Sequence, residues 1–206
     1  QPKRIWFYCQ RPAREGGRTP LGDMRAVLDT MDGDLRNLFE GRDLIYVSNL
    51  CDGDGFGKSW QQAYGTRDPR EVDAYLQGKG YPFEWGPDGG LHVETRAPAM
   101  RTHSRCNSLY WCNQVVNWHW ATHDERTQKA INRVYGETYK HPKGVLFSDY
   151  SEIPPDAVRR IKDHLQANEM VFDWWQNDVL VVDNEWISHG RQPYSDANRK
   201  ILVTLA

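Results

Sequence analysis

The stretch from Asp178 to the end of the chain constrains the fold most. It holds two apolar runs of strand type, residues 179–182 and 201–205, with His189, Arg191 and Arg199 between them. Runs this rich in Val, Ile and Leu favour strands. A histidine at the end of one strand, with an arginine entering the next, has a chemical use. The imidazole can hold a metal, and the guanidinium can grip a carboxylate in two parallel hydrogen bonds. The bland alternatives are a hydrogen-bonded strand-end histidine and an arginine paired with an internal Asp or Glu. Gly190 lets backbone or substrate come close beside His189.

Upstream, residues 4–10 (RIWFYCQ) and 44–50 (LIYVSNL) read as strands, the first of them central. Residues 12–19 read as a polar turn around Gly16-Gly17, and residues 23–28 open a helix with Asp23 near its start. Further helices are expected at 35–40, 69–77, 115–122, 128–139 and 155–166. Residues 81–85 and 91–96 flank Gly86-Pro87-Asp88-Gly89-Gly90, a hairpin turn. Residues 108–112 form a strand, and 170–174 with 179–182 are expected to pair. Many short strands with a few inserted helices indicate a mainly β jelly roll or barrel rather than a parallel sheet.

The chain has 206 residues, enough for one domain with a substantial core. Its formal charge of −2 gives no reason to expect a nucleic-acid or membrane surface. No apolar run reaches membrane-spanning length. Cys9, Cys51, Cys106 and Cys112 form no CxxC pair and read as reduced thiols of a cytoplasmic protein. Strand patterns running almost to both ends suggest a piece of a longer chain.

Other polar groups have plain readings. His119 and His123, four apart, would share one face of a helix, but Trp120 stands where a zinc protease needs Glu, so a satisfied structural pair is expected. His92-Val93-Glu94 has the H-x-E form of an iron site, yet on a hairpin strand such alternation usually faces solvent. The glycine-rich loop at residues 52–57 lacks the later ligands of a calcium loop and reads as a flexible loop.

Together, these motifs resemble the iron(II)/2-oxoglutarate-dependent oxygenases, in the taurine dioxygenase and clavaminate synthase-like group, especially members found in antibiotic and nonribosomal-peptide pathways. The resemblance rests on His189-Gly190-Arg191, preceded by Asp183-Asn184 and followed by Arg199. It rests also on Gly16-Gly17-Arg18-Thr19-Pro20, on Trp85 before the Pro-Asp-Gly-Gly turn, and on Trp111-Cys112-Asn113-Gln114, where Cys replaces the group's Phe. It implies a double-stranded β-helix over residues 1–206, a single oxygenase domain missing its N-terminal part.

The resemblance also implies roles. His189 is the distal histidine ligand of Fe(II) and the catalytic metal ligand. Arg199 and Thr19 hold the far carboxylate of 2-oxoglutarate. Asn113 and Arg191 line the substrate side. The proximal H-x-D/E pair of the family is expected upstream of Gln1. The implied reaction uses O2 and 2-oxoglutarate to oxidise an unactivated C–H bond, most simply by hydroxylation, with succinate and CO2 as co-products. The implied substrate is a small, amino-acid-like or carrier-tethered intermediate; Thr204, near the place of a sulfonate-binding arginine, argues against taurine. A halogenase, desaturase or cyclase of the same superfamily, and a non-catalytic jelly-roll binding protein, are the alternatives. Homo-oligomerisation is left open.

Overall fold

The computed structural model describes residues 2–53 and 57–206, so residues 54–56 of the 52–57 loop lie outside the described residues. The first third of the chain runs β1 (Arg4–Arg11), β2 (Thr19–Asp23), α1 (Met24–Asp29), α2 (Gly33–Phe39) and β3 (Asp43–Leu50). It continues α3 (Trp60–Tyr64), α4 (Pro69–Lys79), β4 (Phe83–Trp85), β5 (Leu91–Pro98), β6 (Met100–Thr102) and β7 (Leu109–Trp111). The rest is α5 (Val115–Trp118), α6 (Glu125–Tyr135), β8 (Lys143–Phe147), α7 (Pro155–Ala167), β9 (Glu169–Phe172), β10 (Val179–Asp183), β11 (Ile187–His189) and β12 (Lys200–Leu205). The chain is mainly β with inserted helices, and it divides into two compact units.

Unit 1 comprises residues 1–38, 100–112 and 163–206. Its first sheet has the order β10-β1-β12, and its second β11-β2-β9, all antiparallel. The central position expected for the first strand holds. Along β1 the side chains alternate, so Ile5, Phe7 and Cys9 turn inward while Trp6 and Tyr8 face out. The inward three pack with Trp174 and Val182, and with Leu21, Phe172, Leu180, Ile187 and Ile201 from both sheets. Burying these apolar groups is the main force holding the two sheets together. α1 starts where Asp23 Oδ1 accepts from the backbone N–H groups of Arg25 and Ala26, at 2.9 and 3.4 Å.

The expected pairing of residues 170–174 with 179–182 does not form. β9 pairs with β2, through Met170 opposite Leu21, and β10 pairs with β1, through Val182 opposite Ile5. The reason is local. Asn177 N donates to Cys9 O at 2.7 Å and Cys9 N to Asp178 O at 2.9 Å, which ties the connecting segment to β1. Trp174 turns into the core instead of continuing a hairpin.

Unit 2 comprises residues 39–99 and 113–162. Its sheet has the order β4-β5-β3-β8, and the hairpin at Gly86–Gly90 joins β4 to β5 as expected. Trp60 of α3 and Val72 and Leu76 of α4 pack on Leu91 and Val93 of β5. Two helix expectations change here. The helix over 115–122 breaks at His119, whose extended backbone ends α5 and starts a short 3-10 turn, Trp120–Thr122. The helix over 128–139 starts earlier, where Asp124 accepts from Thr127 N at 3.0 Å, and stops at Gly136, whose φ is +73°.

Candidate functional site

Unit 1 gathers Thr19, His189 and Arg199 around its two sheets. Thr19 opens β2 opposite Phe172, and His189 closes β11 opposite Leu21 on the other side of that strand. Gly190 N donates to Pro20 O at 3.0 Å and Gln192 N to Arg18 O at 2.9 Å, so backbone bonds continue past both ends. Arg199 directly precedes β12, which pairs with β1.

Each side chain retains hydrogen-bonding capacity that the protein does not use. Thr19 is buried, and its Oγ1 accepts from Trp174 Nε1 at 3.0 Å. With the lone pair engaged, the hydroxyl proton is left to donate. Arg199 is half-buried and donates Nε and Nη2 to Gly17 O at 3.1 and 2.9 Å. Its ring neighbour is Tyr194, centred 4.9 Å away. No carboxylate among the described residues pairs with it, so the plain reading of an internal Asp or Glu partner does not hold. A guanidinium in that state invites an anionic ligand.

Gly17 is required beside it. Its φ is +66°, and a Cβ there would meet Arg199 Nε at 2.8 Å. The His189 ring stands edge-on to Phe7 with centroids 5.4 Å apart, and Phe7 in turn contacts Trp174. The residue is exposed overall, but the side against Phe7 is desolvated, and this lowers its pKa. His189 is therefore neutral near pH 7, and neither ring nitrogen has a protein partner among the described residues. The donor set fits 2-oxoglutarate through Arg199 and Thr19. Toward iron it offers one neutral imidazole.

The remaining candidates are placed differently. Arg191 is exposed, with its guanidinium 5.5 Å from the Tyr194 ring centre. Asn113 belongs to unit 2, where its Nδ2 donates to Ala99 O at 2.9 Å and its Oδ1 accepts from Val115 N at 3.1 Å. His119 is fully buried and satisfied, Nδ1 accepting from Ala121 N at 3.2 Å and Nε2 lying 3.1 Å from Ile153 O. His123 is exposed, so the two do not form the expected pair. His92 and Glu94 do share a face, but it is not solvent-facing. Glu94 is buried and accepts from Tyr139 Oη at 2.9 Å and Tyr150 Oη at 3.0 Å, while His92 Nδ1 meets Asn49 Oδ1 at 2.7 Å.

One cluster carries no mark in the sequence. In unit 1, His103, Asp183 and Glu185 bring three potential ligand atoms within 4.8 Å of one another. His103 Nε2 lies 3.0 Å from Glu185 and 3.5 Å from Asp183, without the alignment of a hydrogen bond. Its Nδ1 receives the backbone N–H groups of Arg105 and Cys106 at 3.3 and 3.4 Å. That leaves the proton on Nε2, facing the carboxylates, whereas a metal needs the lone pair there. Arg105 pairs with Asp183, and Ser104 Oγ donates to Glu185 at 2.8 Å. The cluster clasps the turn after β6 to the segment after β10. His103 also stacks on Trp186 at 4.0 Å, whose ring takes Arg25 3.6 Å from its centre.

A two-sheet β unit with an arginine that has no acidic partner among the described residues and a strand-end histidine is the setting in which comparison with known proteins names a family. The family model described as "Taurine catabolism dioxygenase TauD, TfdA family" matches residues 1–205. The chain belongs to that family. It is 32% identical over 204 residues to the dapdiamide synthesis protein DdaC of Enterobacter agglomerans, covering 99% of this chain and 61% of the relative. It is 26% identical over 212 residues to a clavaminate synthase-like protein of Arabidopsis thaliana, covering 99% and 60%. The crystal structure of AAD-2 in complex with Mn(II) and N-oxalylglycine shares the fold, with a TM-score of 0.54 at 16% identity over 98% of this chain and 62% of that one. The chain thus spans about three fifths of the length of the relatives it matches. Among the described residues, no helix is long and apolar enough to cross a membrane.

Proposed function

We propose that this chain belongs to an Fe(II)/2-oxoglutarate-dependent oxygenase that hydroxylates an unactivated C–H bond of a small biosynthetic intermediate. The observation that carries the reading is Arg199, a half-buried cation with no acidic partner among the described residues, bonded to Gly17 O two residues before a threonine whose hydroxyl proton is left to donate. Family membership and the resemblance to a dapdiamide synthesis protein support the chemistry and the biosynthetic setting. The two facing sheets of unit 1 support a double-stranded β-helix as the domain's architecture.

Iron and 2-oxoglutarate supply the oxidising chemistry when bound. The chain's own residues position and enclose. Arg199 and Thr19 anchor the far carboxylate, and Gly17 O fixes the guanidinium plane through two bonds. His189 gives a neutral nitrogen as one metal ligand, and Phe7 holds its ring edge-on. Phe7, with Trp174 and Phe172 packed behind it, makes an apolar wall on one side of the imidazole and keeps water from that side. Two further iron ligands are required, and the described residues place no cluster of them beside His189. Arg191 takes the substrate side of unit 1, where an amino-acid-like or carrier-tethered substrate would lie, whereas Asn113 spends both amide groups on Ala99 and Val115 within unit 2.

Calorimetry of 2-oxoglutarate binding to the full-length protein tests the reading. Arg199→Ala should weaken binding by roughly 30-fold or more, the cost of removing one partner of a charge pair. Fe(II) binding should survive in that variant and be lost in His189→Ala. Equal 2-oxoglutarate affinity in wild type and Arg199→Ala would remove the anchor, and full iron loading of His189→Ala would remove the ligand.

A further inference from the structure

We infer that unit 2 carries a second binding site, for a small organic anion with an apolar body. A cavity of about 550 Å³ lies in this unit, walled by Tyr64, Trp118, Trp120 and Ile131. That volume and lining are those of small-molecule sites. α6 shows why the space stays open. Thr127 and Ile131, one turn apart, face the cavity, yet no residue of α6 is fully buried. A helix whose apolar side finds too little protein to cover it leaves room for a ligand body.

The polar lining sets the ligand's charge. Lys58, His123, His141 and Lys143 line the cavity, and among the described residues no Asp or Glu does, in a chain that has 28 of them. Neither lysine has a carboxylate partner among the described residues; Lys143 instead lies 5.2 Å from the centre of the Trp118 ring. Two ammonium groups, one of them over the Trp118 ring, attract a carboxylate on an aryl or alkyl body. His141 adds a second requirement. It is 1% exposed, its Nε2 lies 3.4 Å from Gly136 O, and its Nδ1 has no partner among the described residues. A buried nitrogen without a partner is costly, and a ligand group that bonds to it removes the cost.

The inference does not rest on the oxygenase reading, because every residue named lies in unit 2. Titrating the full-length protein with 4-phenylbutanoate and with its neutral amide, by calorimetry, tests it. The acid should bind at least about tenfold tighter than the amide. Lys58→Gln combined with Lys143→Gln should abolish that preference and leave the amide's affinity unchanged. Trp120→Ala should weaken both ligands, and circular dichroism checks that each variant is folded. Equal binding of acid and amide, or no binding of either, overturns the proposal. So does a preference that survives the lysine double variant but is lost in Arg199→Ala, since the acid would then be held in unit 1.

Discussion

His119 gives a prediction whose size follows from its surroundings. The ring is fully buried, with Nδ1 accepting from Ala121 N and Nε2 facing Ile153 O. Burial lowers its pKa from 6.5 to about 4, with His141 and Arg159 adding repulsion against the bond to Ile153. A histidine held neutral in the fold but free to charge when unfolded contributes stability above its unfolded pKa. That stability is lost as pH falls from 6.5 toward 4. Linkage puts the loss at about 2 kcal/mol between about pH 7 and pH 5, approaching about 3 kcal/mol at lower pH. Urea unfolding followed by tryptophan fluorescence, repeated across that range, reads the loss as a shift in midpoint of about 1 M. His119→Phe should be less stable at neutral pH, because it orphans two backbone groups at about 1–3 kcal/mol each. Its stability should then fall by about 2 kcal/mol less than the wild type's over the same range. His119→Asn, which keeps an acceptor, serves if the phenylalanine variant does not fold. Parallel losses in wild type and variants would refute the reasoning, since another group would be titrating.

Three further perturbations probe the site and its surroundings. Gly17→Ala forces a side chain onto positive φ and against Arg199, and should cost about 1–2 kcal/mol of stability and weaken 2-oxoglutarate binding, read by unfolding and calorimetry. Thr19→Val leaves the buried Trp174 Nε1 without its acceptor and should destabilise by about 1–3 kcal/mol; an unchanged melting curve would count against that bond. Tyr139 has its pKa pushed up to about 12, first by desolvation and then by Glu94, although the residue as a whole is 39% exposed. Glu94→Gln should therefore bring one tyrosine back toward its ordinary range in an ultraviolet titration, and no change would sink the assignment.

Several strands of unit 1 are legible from their apolar runs, and in β1 the period also matches burial, whereas most side chains of β9, β10 and β12 stay exposed. β1 alternates strictly, and β12 and β10 are apolar runs that pair with it. β2 was not legible, since Pro20 and Gly22 within Thr19–Asp23 read as turn residues. Its strand character comes from neighbours on both sides, which local sequence does not carry. The partner of β10 is hidden for the same reason: proximity in sequence suggests β9, while the tie between Cys9 and residues 177–178 selects β1. The His92–Glu94 face is not legible either, because burial of its carboxylate depends on two residues distant in sequence, Tyr139 and Tyr150.

Residue type alone also cannot separate a structural histidine from a ligand; that depends on which ring nitrogens the protein engages. His119 engages both of its nitrogens, and His92 and His103 engage Nδ1 while Nε2 lies near a carboxylate without a hydrogen bond. His189 has none at either nitrogen among the described residues, and His141 has none at Nδ1. The same count applies to cations. Arg18, Arg42 and Arg105 meet carboxylates, whereas Arg199, Lys58 and Lys143 meet a carbonyl or an aromatic ring or neither. Leaving such groups unmatched in a partly desolvated place costs stability that folding alone does not recover. Two sets of such groups stand out, His189 and Arg199 with the spare hydroxyl proton of Thr19 in unit 1, and Lys58, His141 and Lys143 in unit 2. Each set combines at least one cation with an imidazole and an aromatic neighbour, a combination that suits an anionic ligand better than a packed core.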